Sequence, residues 1–193
     1  MLYSLAKGLF KIILILLYKI NIEGEENIPQ ENGIVVCSNH YHWLDPIVVA
    51  CFLNRKVHFM AKKELFNNKF FGGLLKKVHA FPVNRGAADI TAIKTALRIV
   101  KSQKVLGIFP EGTRVKTGEI GNVEPGIAMI AIKGQVQVLP IGISGDYKFT
   151  RKLYINIGQP ISLEKYYNKK INVEELGVIS YSIMSEVRKL IRN

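Results

Sequence analysis

Apolar and polar positions along the chain fall into short alternating blocks. Apolar runs at 34–37, 57–61, 105–109 and 153–157 have the length and β-branched content of buried strands. A further run at 136–143 reads as a strand interrupted by Pro140, and 80–83 as a short one. Helical spacing fills the gaps between them. Residues 47–53 follow Pro46, which suits a helical first turn. Residues 70–79 carry Phe70, Phe71, Leu74, Leu75 and Val78, and 127–133 form a short apolar helix. Asp89 precedes Ile90, Ile93, Leu97 and Val100, a capped helix with an apolar stripe. The chain closes on 173–191, apolar at Leu176, Ile179, Ile183, Val187 and Leu190. Strands alternating with helices predict an α/β fold: one domain, a largely parallel mixed sheet covered by helices.

The first 20 residues stand apart. They are apolar except for a few positions, with Lys7, Lys11 and Lys19 among them. The unbroken run 12–18 is well short of the ~20 residues that span a bilayer. A helix lying in the membrane interface is expected for 1–20, with a polar connector at 21–33 and the remaining domain as 21–193. A secretory signal is disfavoured by Lys19 and the acidic Glu23, Glu25 and Glu26, and by the lack of a small-residue cleavage site. The competing reading is an ordinary helix packed on the core.

Composition narrows the partners. The 193 residues hold 27 Lys and Arg against 15 Asp and Glu, a net charge of +12. Mean hydropathy is +0.14. Such a chain suits an anionic partner: an anionic membrane face, a phosphorylated substrate, an acidic carrier protein or nucleic acid. Nucleic acid is disfavoured, because no basic helix with interleaved aromatics occurs and the apolar N-terminus would be unexplained. Cys37 and Cys51 both lie in apolar runs and read as buried free thiols of a reducing compartment.

Three polar clusters each follow an apolar run: Asn39-His40 through Asp45, Asn84-Arg85, and Glu111-Gly112-Thr113-Arg114. Parallel strands would deliver all three to one rim, where α/β sheets bind ligands. His40 and Asp45, five residues apart on one loop, make a base and its orienter. Arg85 and Arg114 suit a phosphate, and Gly112 permits close backbone approach. The set reads as a base acting on a hydroxyl of a phosphate-bearing substrate. A zinc site of His40, His42 and Asp45 ranks below this, since spacing suggests no further ligand. Gly142-Ile143-Ser144-Gly145-Asp146 lacks the last glycine of a nucleophile elbow, and there is no Walker loop or dinucleotide fingerprint.

Asn39-His40 with Asp45, together with Phe109-Pro110-Glu111-Gly112-Thr113-Arg114, resembles the glycerolipid acyltransferase family, in particular its members acting on 1-acylglycerol-3-phosphate. Phe81-Pro82-Val83-Asn84-Arg85 resembles that family's second block, and Val138-Leu139-Pro140-Ile141 its fourth. Ala61-Lys62-Lys63-Glu64-Leu65-Phe66 is also similar, and the likeness runs from about residue 22 to 145. The resemblance implies that His40 is the general base and Asp45 holds it. It implies that Asn39, Arg85, Glu111, Gly112, Thr113 and Arg114 shape the substrate site, the arginines on the phosphate. The implied reaction moves an acyl group from acyl-carrier protein or acyl-coenzyme A to the sn-2 hydroxyl of lysophosphatidic acid, giving phosphatidic acid. No resident cofactor or metal is implied. The implied setting is monotopic, at the cytoplasmic face of the cell membrane. The chain departs from the pattern at His42 and Val115, where the family often has Ser, and at Glu124, near a frequent Lys. A non-catalytic lipid-binding protein of the same fold would not need both His40 and Asp45.

Overall fold

The run at 34–37 becomes the centre of a seven-stranded sheet in the computed structural model, which describes residues 2–84, 89–115 and 121–192. The elements in chain order are α1 (Leu2–Leu17), β1 (Lys19–Glu23), β2 (Ile34–Ser38), α2 (Asp45–Phe52), β3 (Val57–Lys62) and α3 (Lys69–Lys77). They continue with β4 (Phe81–Val83), α4 (Ile90–Lys101), β5 (Val105–Ile108), α5 (Gly126–Gly134), β6 (Gln137–Gly145), β7 (Lys152–Ile157) and α6 (Val173–Lys189). The strand order is β1-β7-β6-β2-β5-β3-β4. All pairings are parallel except β6 with β7.

Strand alternation divides the core in two. Ile34 and Val36 of β2, with Leu139, Ile141 and Ile143 of β6, pack toward α1 and α2. Val35, Cys37 and Val138 point the other way, into a cluster with α4, α5 and α6. Both faces are covered, so the central strands are apolar on both sides and read as continuous runs.

Four expectations change in detail. The polar connector at 21–33 is in part a strand: β1 runs beside β7, with Ile20 and Ile22 half-buried between exposed Lys19, Asn21 and Glu23. Five alternating residues at a sheet edge carry too little apolar content to read as a strand alone. Pro140 does not interrupt β6, which runs from Gln137 to Gly145. The Pro140 carbonyl accepts from Gly158 N–H at 2.9 Å, so the side lacking a donor faces the end of β7 and the β2 ladder is kept. In α4 the buried face is Ala92, Ala96 and Val100, while Ile90 is exposed. The small alanines let the helix sit close to the sheet. In α3, Phe70 and Leu74 are exposed rather than buried.

Helix α1 is inverted relative to a core helix. Tyr3 and Leu14 are buried, but Leu5, Leu9, Ile12, Ile15 and Leu16 are all exposed. The lysines point inward: Lys7 Nζ donates to the Leu53 carbonyl, and Lys11 lies over the Phe52 ring at 5.4 Å. No helix among the described residues is long and apolar enough to cross a membrane.

Candidate active site

Parallel β2 and β5 end at the same rim, and the loops after them interlock. Asp45 opens α2 with Pro46 in its first turn, and its carboxylate is fully buried. Oδ2 accepts from Tyr41 N–H at 2.8 Å and His42 N–H at 2.7 Å, and it pairs with His40 Nδ1 at 2.8 Å. The two backbone bonds fold residues 40–45 into a tight loop, and the third orients the imidazole. A carboxylate facing Nδ1 places the proton there and leaves Nε2 as the basic nitrogen. Nε2 has no hydrogen-bond partner among the described residues. The ring rests against Phe109 at 4.5 Å, and Phe109 stacks on Phe59.

The second loop holds the first. Glu111 Oε2 accepts the His40 N–H at 3.0 Å, and Val115 N–H donates to the His40 carbonyl at 2.8 Å. Both backbone polar groups of His40 are thereby fixed from the loop after β5. Glu111 is buried, and its Oε1 has no partner among the described residues. Burial pushes its carboxyl up to about 7, the His40 N–H works against that, and the charge of Asp45 adds to it. Gly112 has φ +67 with open space where a Cβ would be, so the backbone conformation, not packing, calls for glycine. Thr113 and Arg114 are exposed at the rim.

Asn39 is tied into the sheet. It is buried, its Nδ2 donates to the Ile143 carbonyl and its Oδ1 accepts the Ile143 N–H, both at 2.8 Å. It pins the end of β2 to β6. Arg85 lies outside the described residues. Asn84 before it follows β4, with its N–H on Asp89, which also caps α4 through Ala92 N–H. From β2 to β4 is three strand spacings, ~14 Å. His42 stacks on Tyr147 at 4.1 Å, and burial holds its imidazole below the usual range. Asp45 Oδ1 accepts from the Tyr147 hydroxyl at 2.7 Å and His42 Nδ1 from Leu44 N–H at 3.3 Å, so His40, His42 and Asp45 are engaged within the loops and form no group, among the described residues, that could hold a metal ion. Cys37 is fully buried and burial drives its thiol far up, which removes it as a nucleophile. Tyr147 was not legible as a site residue in the sequence. It lies 102 residues from Asp45 and carries no motif.

A sequence profile of the family described as Acyltransferase matches residues 19–144, about two thirds of the chain. The chain belongs to the acyltransferase family. The matched span ends just before Tyr147 and contains every other residue named above at the site. Among this acyltransferase's relatives, the 1-acyl-sn-glycerol-3-phosphate acyltransferase of Bacillus subtilis is 32% identical over 97% of this chain and 96% of its own length. The protein of the same name from Streptococcus pneumoniae is 30% identical over 98% of this chain and 73% of its own length. The crystal structure of the 1-acyl-sn-glycerophosphate acyltransferase of Thermotoga maritima superposes with a TM-score of 0.75 at 25% identity, covering 97% of this chain and 77% of that one.

Proposed function

We propose that this acyltransferase transfers a fatty acyl group from acyl-carrier protein or acyl-coenzyme A to the sn-2 hydroxyl of 1-acylglycerol-3-phosphate, giving phosphatidic acid. The observation that carries the reading is the buried Asp45 on His40 Nδ1, with Nε2 taken by no partner among the described residues. His40 Nε2 takes the proton of the acceptor hydroxyl as its oxygen attacks the thioester carbonyl. The tetrahedral intermediate collapses, the carbon–sulfur bond breaks, and the departing thiolate takes the proton back from His40. One oxygen ester forms, one thioester breaks, and the imidazole ends as it began. No acyl-enzyme is required, and no bound metal or cofactor enters any step. Arg114, with Arg85, would hold the acceptor's phosphate.

The outward apolar face of α1 supports a monotopic membrane setting. A face of Leu and Ile turned away from the protein is stable against acyl chains and not against water. The helix is ~24 Å long by its rise per residue, short of the ~30 Å hydrocarbon core. The unpaired, buried Cys37 and Cys51 suit the cytoplasmic face.

The test is acyl transfer by the purified protein with both donor types and with acceptors that carry or lack a phosphate. Wild type should prefer lysophosphatidic acid to monoacylglycerol. His40→Ala should lower turnover by ~10²–10⁴, and wild-type turnover in that variant would overturn the base reading. Arg114→Ala should weaken only the phosphorylated acceptor, by about one to two powers of ten in kcat/KM. Equal loss on both acceptors would assign Arg114 to structure.

A further inference from the structure

We infer that Tyr147 is a positioning residue for the base: it holds Asp45 from the side opposite His40 and sets how strongly the carboxylate stabilises the protonated imidazole. The inference rests on His40 acting as the base. Asp45 Oδ2 is occupied by His40 and two backbone N–H groups, and its other oxygen has one partner among the described residues, the Tyr147 hydroxyl, which donates to Oδ1 at 2.7 Å. The chain thus places a Tyr-Asp-His series across the loops after β6 and β2.

Tyr147 is itself fixed on three sides. Its ring stacks on His42 at 4.1 Å and 17°, meets Tyr41 at 5.4 Å, and takes the edge of Tyr18 at 5.6 Å and 88°. Burial drives its hydroxyl far above the ordinary range, so it remains a donor throughout the working pH. A hydroxyl donating to one carboxylate oxygen draws charge from the other and locks the plane of the group. The carboxylate then fixes the imidazole's direction without holding its proton too tightly for return to the thiolate. His42, where the family often has Ser, supplies the flat surface on which this tyrosine lies. Tyr18 sits between α1 and β1, so the same cage touches the end of the N-terminal helix.

The test is Tyr147→Phe, which keeps the ring and removes one oxygen. Its steady-state kinetics on lysophosphatidic acid are measured from pH 5 to 9 beside wild type and His40→Ala. Other groups facing the pair are Tyr41 and His42 on its own loop, Glu111 and Arg114 after β5, and Asp146 after β6. Glu111 titrates near neutrality, so the profile is repeated in a Glu111→Gln background. The expected result is a fall in kcat of about three- to tenfold with KM held. The acid limb of the profile should move about half a unit upward, because a carboxylate with more charge favours the protonated imidazole. Wild-type kcat and an unmoved limb would overturn the inference. So would a lowered kcat with an unmoved limb and a lower melting temperature, which is what loss of packing alone would give. Full turnover in His40→Ala would instead overturn the base reading beneath it.

Discussion

Two side chains in the loops after β2 and β5 hold backbone groups across the rim. Asn39 satisfies both the N–H and the C=O of Ile143 inside the sheet. Asn39→Ala would leave both groups buried without partners, an expected loss of about 2 to 4 kcal/mol in stability, read by denaturant unfolding. Glu111 holds the His40 N–H and has its carboxyl raised to about 7, chiefly by burial. A raised carboxyl keeps its proton in the folded chain where the unfolded chain has lost it. Its contribution to stability is therefore complete below the usual carboxylate range and disappears as pH rises through about 7. Glu111→Gln keeps the acceptor for His40 and cannot ionise. The variant should gain on wild type by on the order of 1–3 kcal/mol between pH 5 and 8. Thermal melts at the two pH values check this, and parallel curves for the two proteins would refute it.

At the scale of elements, α1 and β1 have separate duties. Helix α1 seals Leu14 against the core and presents its leucines outward, while β1 closes the sheet edge beside β7. A truncation after residue 20 would cut into β1 and remove Tyr3, whose hydroxyl accepts Val57 N–H, so it would confound anchoring with folding. Substitution of the outward positions avoids this. Leu5→Gln, Ile12→Gln and Leu16→Gln together should leave the melting temperature unchanged, because all three side chains are exposed. Sedimentation with vesicles should show their binding reduced by tenfold or more, since each buried leucine or isoleucine contributes roughly 1.5–3 kcal/mol. Unchanged vesicle binding would return α1 to the role of a core helix.

For the whole molecule, a net charge of +12 and one outward apolar helix face are what the proposed membrane setting would use together. Binding to vesicles should strengthen with anionic lipid and weaken as salt shortens the screening length to about 8 Å near physiological strength. Binding indifferent to lipid charge and salt would leave the apolar face as the sole anchor. The rim that carries His40 lies where the loops after β2, β5 and β6 meet, and the end of α1 reaches it through Thr150 N–H on the Leu17 carbonyl at 2.8 Å. The end of α1 and the loops around His40 therefore share one edge of the sheet.

The chain by itself determined the α/β class, the strands read at 34–37, 57–61 and 105–109, each within a residue of its observed end, and the loops that carry His40, Asp45 and Glu111. Those features are local: apolar runs the length of a strand, a proline in a first helical turn, and polar clusters directly after them. Tertiary structure alone decided the rest. The edge strand β1 exists because β7 offers it a ladder, and the straight course of β6 through Pro140 depends on where β7 ends. Which face of α1 looks outward followed from where α2 lies. The same holds at the site. Asn39 and Ile143 are 104 residues apart, His40 and Glu111 are 71 apart, and Asp45 and Tyr147 are 102 apart. A hydrogen bond between such positions leaves no period or spacing in the sequence; it arises only when parallel strands bring their ends to one rim.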